Sequence, residues 1–260
     1  MTAEKTFFIC EDSMEGIFTG IYEAYEKRQT LDNIHLTVGE VAQPSLFSTY
    51  EYVKPKEEKA EKVMRTLKKK FSEEDYRTIC YALSSPDERK ADAVFHTIVW
   101  GLKGQYRHSI LEHLSNDNVR ITMELARNAG NEYRHLRGFI RFTELQGGVL
   151  YGVISPKNAI LPELAEHFAD RLPGENFVLL DEGRNLYALH PAYKPWFLMT
   201  PTGRAEVTEA GWSETEACYQ ELFRTFCHNI SIEERRNLKL QRNLLPLHFR
   251  LYMTEFQDRN

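Results

Sequence analysis

An aromatic residue sits between two arginines at Arg137, Phe139 and Arg141. On an extended backbone these three side chains share one face. Such a row can contact phosphates and stack an exposed base, as single-strand-binding sheets do. The same residues can instead be a core phenylalanine flanked by arginines that pair with carboxylates. A second basic group lies in the tail, at Arg235, Arg236, Lys239, Arg242, His248 and Arg250. Helical spacing would gather several of these into a phosphate-binding face, or into an ordinary solvated helix surface. The run Lys68–Lys70 says less, because a helix end favours cations in any case. Asp12 and Glu15 stand where a first strand meets a first helix. Either can bind a metal or act as a base, and either can simply cap the helix. His135, beside Arg134 and Arg137, is a candidate base or a packed ring.

Several chemistries have no sequence support. Cys10, Cys80, Cys218 and Cys227 form no C-x-x-C pair, so neither a zinc ribbon nor a cysteine-held iron–sulfur cluster is expected. Their scatter also argues against a disulfide framework and fits a reducing cytoplasm. No H-E-x-x-H occurs, and the spacing of His108 and His113 places them off a common helical face. Walker, G-x-S-x-G and dinucleotide motifs are absent. The expectation is therefore no metal site and no cofactor in this chain. A net charge of −5 excludes a broadly basic coat for nucleic acid but leaves room for a local basic patch. With 42% hydrophobic and 12% aromatic residues, the chain of 260 can bury a core unaided. No apolar run is long enough to span a bilayer.

The elements that must carry these residues can be read from periodicity. Residues 5–10 form a short strand and Ser13–Arg28 a helix capped by Ser13, with a second short strand near Ile34–Val38. Gln43–Lys56 is polar, holds two prolines and reads as a connection. From Pro55 to about Asn131 the pattern is helical, with helices over Pro55–Phe71, from Ser72, and over Asp87–Leu102. Further helices cover Ser109–Leu114 and Asn118–Asn128, the last ending at Gly130. The period then falls to two. Gly138–Leu145 and Val149–Ser155 pair antiparallel through Gln146–Gly148. A helix at Leu161–Leu172 separates them from a second hairpin, Asn176–Leu180 with Asn185–His190. Pro195 and Pro201 bracket an edge strand. A helix begins near Ser213 and an amphipathic segment covers Leu247–Phe256. The expected fold is α+β: an antiparallel sheet with a ββαββ core and an inserted all-helical layer or subdomain. The corresponding divisions are 1–54, 55–131 and 132–260.

Four blocks resemble one family: E-D-S-M-E-G-I-F-T-G-I-Y-E-A-Y at 11–25, E-Y-R-H-L-R-G-F-I-R-F at 132–142, S-P-K-N-A-I-L-P-E-L-A-E-H-F-A-D-R at 155–171, and R-N-L-K-L-Q-R-N-L-L-P-L-H-F-R at 236–250. This pattern resembles a bacterial DNA-metabolism and DNA-repair family of unknown biochemical activity. Its members are encoded beside a radical-SAM protein that modifies or repairs DNA, and a related module is fused to uracil-DNA-glycosylase-like domains. Many relatives carry a histidine near the position of Asn158; this chain does not. The resemblance implies an accessory protein that binds DNA, the radical-SAM partner, or both. The partner would hold the iron–sulfur cluster and S-adenosylmethionine. The alternative is a base- or nucleotide-processing enzyme built from Asp12, Glu15, His135 and the hairpin arginines.

Overall fold

The apolar run Phe8–Cys10 is buried residue after residue in the strand Lys5–Cys10 (β1), as suits the centre of a sheet. In the computed structural model, which describes residues 5–27, 30–39, 47–104, 109–201, 208, 211–231, 233–235 and 237–257, the chain divides into two compact units, Met1–Gly130 and Asn131–Asn260.

In the first unit β1 is flanked by β2 (Ile34–Val38) and β3 (Ser48–Tyr52), and both pairings are parallel. The helix α1 (Met14–Glu26) connects β1 to β2. Its N-terminus is capped by Ser13, whose side chain accepts the Gly16 N–H at 3.0 Å. Three more helices follow: α2 (Glu57–Lys70), α3 (Glu73–Leu83) and α4 (Lys90–Lys103). Phe8, Ile17, Phe18, Leu67, Ile79, Val94, Phe95 and Ile98 lie in one apolar core, so segments 1–54 and 55–130 share it. Burying each such side chain contributes about 1.5–3 kcal/mol. The sheet is unexpected in two respects. Its strands are parallel, and β3 falls in the stretch that reads as a loop. Its sequence, S-T-Y-E-Y, carries no hydrophobic alternation because this edge strand is only partly buried.

The long helix α5 (Asp117–Phe139) runs nine residues beyond the expected stop at Gly130. Ala129, Glu132 and Leu136 are buried along it, and this packing outweighs a glycine penalty of about 1 kcal/mol. Arg137 and Phe139 are therefore helical, and Arg141 lies in the link that follows. The expected strand over 138–145 shrinks to β4 (Phe142–Leu145), and the alternating Arg–Phe–Arg face does not form.

The second unit holds a sheet in the order β4, β5 (Val149–Ile154), β6 (Asn176–Asp181), β7 (Leu186–His190), β8 (Phe197–Met199). The hairpin β4–β5 closes with Leu145 opposite Val149. Gly147 and Gly148 sit at φ 88° and 74°, a conformation that favours glycine. The sheet is mixed, not purely antiparallel: β5 and β6 run parallel, joined over the top by α6 (Leu161–Arg171). A parallel pair needs such a crossover, and the helix between the two hairpins supplies it. Ile154, Leu161, Leu164, Phe168, Phe177 and Leu179 form the buried layer between α6 and the sheet. The unit ends with α7 (Glu216–Asn229), α8 (Leu238–Leu244) and 3₁₀ turns at Leu247–Tyr252 and Thr254–Phe256. The fold is thus α+β with two sheets. No helix among the described residues is long and apolar enough to cross a membrane.

Candidate functional site

The expected DNA-facing residues are scattered in role. Arg137 donates from Nε to His167 Nε2 at 3.3 Å and lies over the Tyr133 ring. Burial, with the Arg137 charge beside it, pushes the His167 pKa down, which keeps the ring a neutral acceptor. Phe139 stacks on His135 with ring centres 5.6 Å apart and tilts against Phe249 at 5.5 Å. His135 also meets Phe249 edge-on at 5.6 Å, so it is a packed ring in an aromatic cluster. Arg141 forms a two-pronged ion pair with Glu255, with Nη2 to Oε1 at 2.7 Å and Nε to Oε2 at 3.2 Å. Arg250 donates to the Leu245 carbonyl and lies 4.7 Å from the Phe256 ring centre. Lys239, Arg242 and His248 are exposed, and Arg236 lies outside the described residues. In the first unit Asp12 pairs with the buried Lys90 ammonium at 2.5 Å, and Glu15 sits exposed in the first turn of α1.

A clasp in the second unit had no sequence signal. The Glu132 carboxylate accepts the backbone N–H groups of Lys157 and Asn158, each at 2.9 Å, and the Asn158 side-chain amide at 2.6 Å. Arg184 holds the same loop from its other side, donating to the carbonyls of Pro156 and Lys157 and to Asp181. The S-P-K-N loop is thus fixed by the buried, hydrogen-bonded carboxylate of Glu132 and by the exposed Arg184 guanidinium, an arrangement that builds shape rather than reactivity. Asn158 itself is a partner in the clasp.

The most unusual surface is on α7. Polar ties hold this helix to the sheet and the tail, beside the half-buried Phe223 ring under Arg141. Glu216 accepts the Glu144 N–H of β4 at 2.9 Å, Gln220 donates to Glu216 at 2.8 Å, and Arg224 donates to the Thr254 carbonyl at 3.1 Å. Four other residues form an apolar stripe toward solvent: Tyr219, Leu222, Phe226 and Ile230 follow helical spacing and are 56–62% exposed. In the segment that follows, Leu238, Leu240, Leu244, Leu247 and Leu251 are also 52–65% exposed. A groove of about 410 Å³ is lined by Ile230, Arg235, Asn237, Leu240 and Leu244, so it joins the end of α7 to α8. Asn237 caps α8 by accepting the Leu240 N–H at 2.9 Å. The sequence shows these leucines, but only the polar ties of α7 reveal that they face outward.

A family model described as a domain of unknown function, DUF4130, matches residues 88–255. The chain belongs to the DUF4130 family. The matched stretch runs from α4 to the last 3₁₀ turn and includes the clasp and the α7–α8 surface. No curated protein and no solved structure matches the chain.

Proposed function

We propose that this DUF4130 protein is an accessory factor of bacterial DNA metabolism whose α7–α8 surface docks a partner protein in the cytoplasm. The observation that carries the reading is on α7: polar side chains tie the helix down while an apolar stripe of it faces water. A contiguous exposed apolar surface marks an interaction site. Its character favours protein over nucleic acid, because most of its side chains are aliphatic and cannot stack on a base as aromatic platforms do. Exposed Arg235, Lys239 and Arg242 border it and select an acidic rim on the partner. The occupant is the radical-SAM protein that the sequence resemblance implies, which would bring the iron–sulfur cluster and S-adenosylmethionine. Lys239, Arg242 and His248 supply a limited phosphate-contacting edge toward DNA.

The test mixes the two purified, nuclease-treated proteins and measures binding by calorimetry. A complex is expected, and Phe226→Glu and Leu244→Glu should each weaken it at least about 30-fold, the scale of losing a hot spot of about 2 kcal/mol. Binding that survives both substitutions, or that needs added DNA, would remove this reading.

A further inference from the structure

His35 on β2 and His96 on α4 converge on Asp92, one turn before His96 on the same helix. The His35 Nδ1 atom lies 3.2 Å from both carboxylate oxygens, and His96 Nε2 lies 3.5 Å from Oδ1. One ligand atom from each residue can be chosen so that all three lie within 4.8 Å of one another. A tetrahedral zinc site with bonds of about 2.0–2.1 Å places its ligand atoms about 3.3 Å apart. The two separations from Asp92 match that edge length without rearrangement of the backbone.

The three side chains are also held in place. The Leu36 N–H donates to Asp92 Oδ1 at 3.0 Å and helps fix the carboxylate. The His35 ring is stacked on Phe7 at 5.1 Å, and Phe7 in turn on Tyr50 at 5.3 Å, so the strand face orients it. His96 packs edge-on against Phe95 at 5.0 Å and against His35 at 5.7 Å. Two imidazoles and one carboxylate are the donor set suited to zinc and neighbouring first-row divalent ions, and unsuited to magnesium or calcium. The side chains keep 24%, 34% and 17% of their surface for His35, Asp92 and His96, so solvent reaches the cluster.

We propose that His35, Asp92 and His96 form a binding site for a zinc-class divalent transition metal, with a solvent-facing position left for water. The site draws one ligand from outside the family-matched stretch and two from inside it. A hydrogen-bonded latch of β2 to α4 uses the same contacts, and the experiment separates the two.

Tag-free protein is stripped with chelator and titrated with Zn²⁺ by calorimetry and with Co²⁺ by visible absorption. One equivalent of each should bind, and Co²⁺ should give the intense d–d bands of a low-symmetry, four- or five-coordinate site. His35→Gln and His96→Gln should each weaken binding by at least about 10–100-fold, the loss produced even by removing a supporting partner. His248→Gln, in the other unit, should leave it unchanged. Circular dichroism confirms that each variant folds. Should one histidine variant unfold, the other still decides the question. The proposal fails if neither ion binds, or if both histidine variants bind as the parent does. The latch reading would then stand alone, while the partner-docking reading would be untouched.

Discussion

Glu132 accepts three hydrogen bonds from one loop, so its removal strands three donors at once. Each buried unsatisfied group costs about 1–3 kcal/mol, partly offset where water enters. Glu132→Ala is therefore expected to lower stability by about 3 kcal/mol or more in urea unfolding, and Glu132→Gln, which keeps an acceptor, by distinctly less. A loss for Glu132→Ala below about 1 kcal/mol would show that the clasp does not hold the loop. The cysteines differ just as sharply. Burial, with the nearby Glu23 charge, pushes the Cys10 thiol up to about 12, while Cys218 is exposed. The thiolate is the reactive form. Alkylation of native protein at neutral pH should mark Cys218 and spare Cys10, which should react only after unfolding. Mass spectrometry of the two peptides reads the result directly. Next to Cys10, a Cβ on Gly20 would run into Sγ, so Gly20→Ala should destabilise by about 1–3 kcal/mol through overpacking.

Among the elements, those with strong local signals match their sequence reading. Ser13 and Ser72 cap α1 and α3 as expected, and Gly147–Gly148 closes the β4–β5 hairpin. The misses have a common cause, which is tertiary packing overriding a local cue. Gly130 does not stop α5 because buried residues follow it, and β3 has no alternation because it is a partly buried edge. Strand direction was not legible from periodicity alone, since parallel and antiparallel strands share the same alternation. The outward apolar face of α7 was hidden for the same reason: amphipathic spacing shows a stripe, not what it faces. The metal-binding triad was hidden by chain distance, since His35 precedes Asp92 by 57 residues. The helical placement of Phe139 leads to a further expectation. With its ring half-buried against His135 and Phe249, Phe139→Ala should cost about 2 kcal/mol, less than the ~3–5 for a fully buried phenylalanine. That corresponds to a melting temperature lower by roughly 4–8 °C. Base affinity should not change, and a selective loss of single-stranded DNA binding with unchanged melting would reverse this assignment.

At the scale of the whole molecule, a net charge of −5 opposes association with a polyanion, so any DNA binding must come from a local basic edge. Three of the six expected arginines are already engaged: Arg141 with Glu255, Arg137 with His167, and Arg250 with the Leu245 carbonyl. Lys239 and Arg242 on α8 remain exposed. Each phosphate contact on duplex DNA contributes about −0.9 to the log–log slope of affinity against salt, and about −0.7 on single strands. Two contacts give an expected slope of about −1.8 on duplex, far shallower than that of a protein making about 6–10 contacts. Arg242→Ala should bring the slope to about −0.9, with a uniform loss across sequences. Arg141→Ala should leave the slope unchanged and act on stability, because its guanidinium is held by Glu255. Fluorescence anisotropy on duplex and single-stranded oligonucleotides across a salt series measures all of these quantities. A parent slope steeper than about −5 would mean that a larger basic surface engages DNA than α8 supplies. Binding independent of salt would mean that phosphates are not contacted at all, leaving the apolar face of α7 and α8 to act on protein alone.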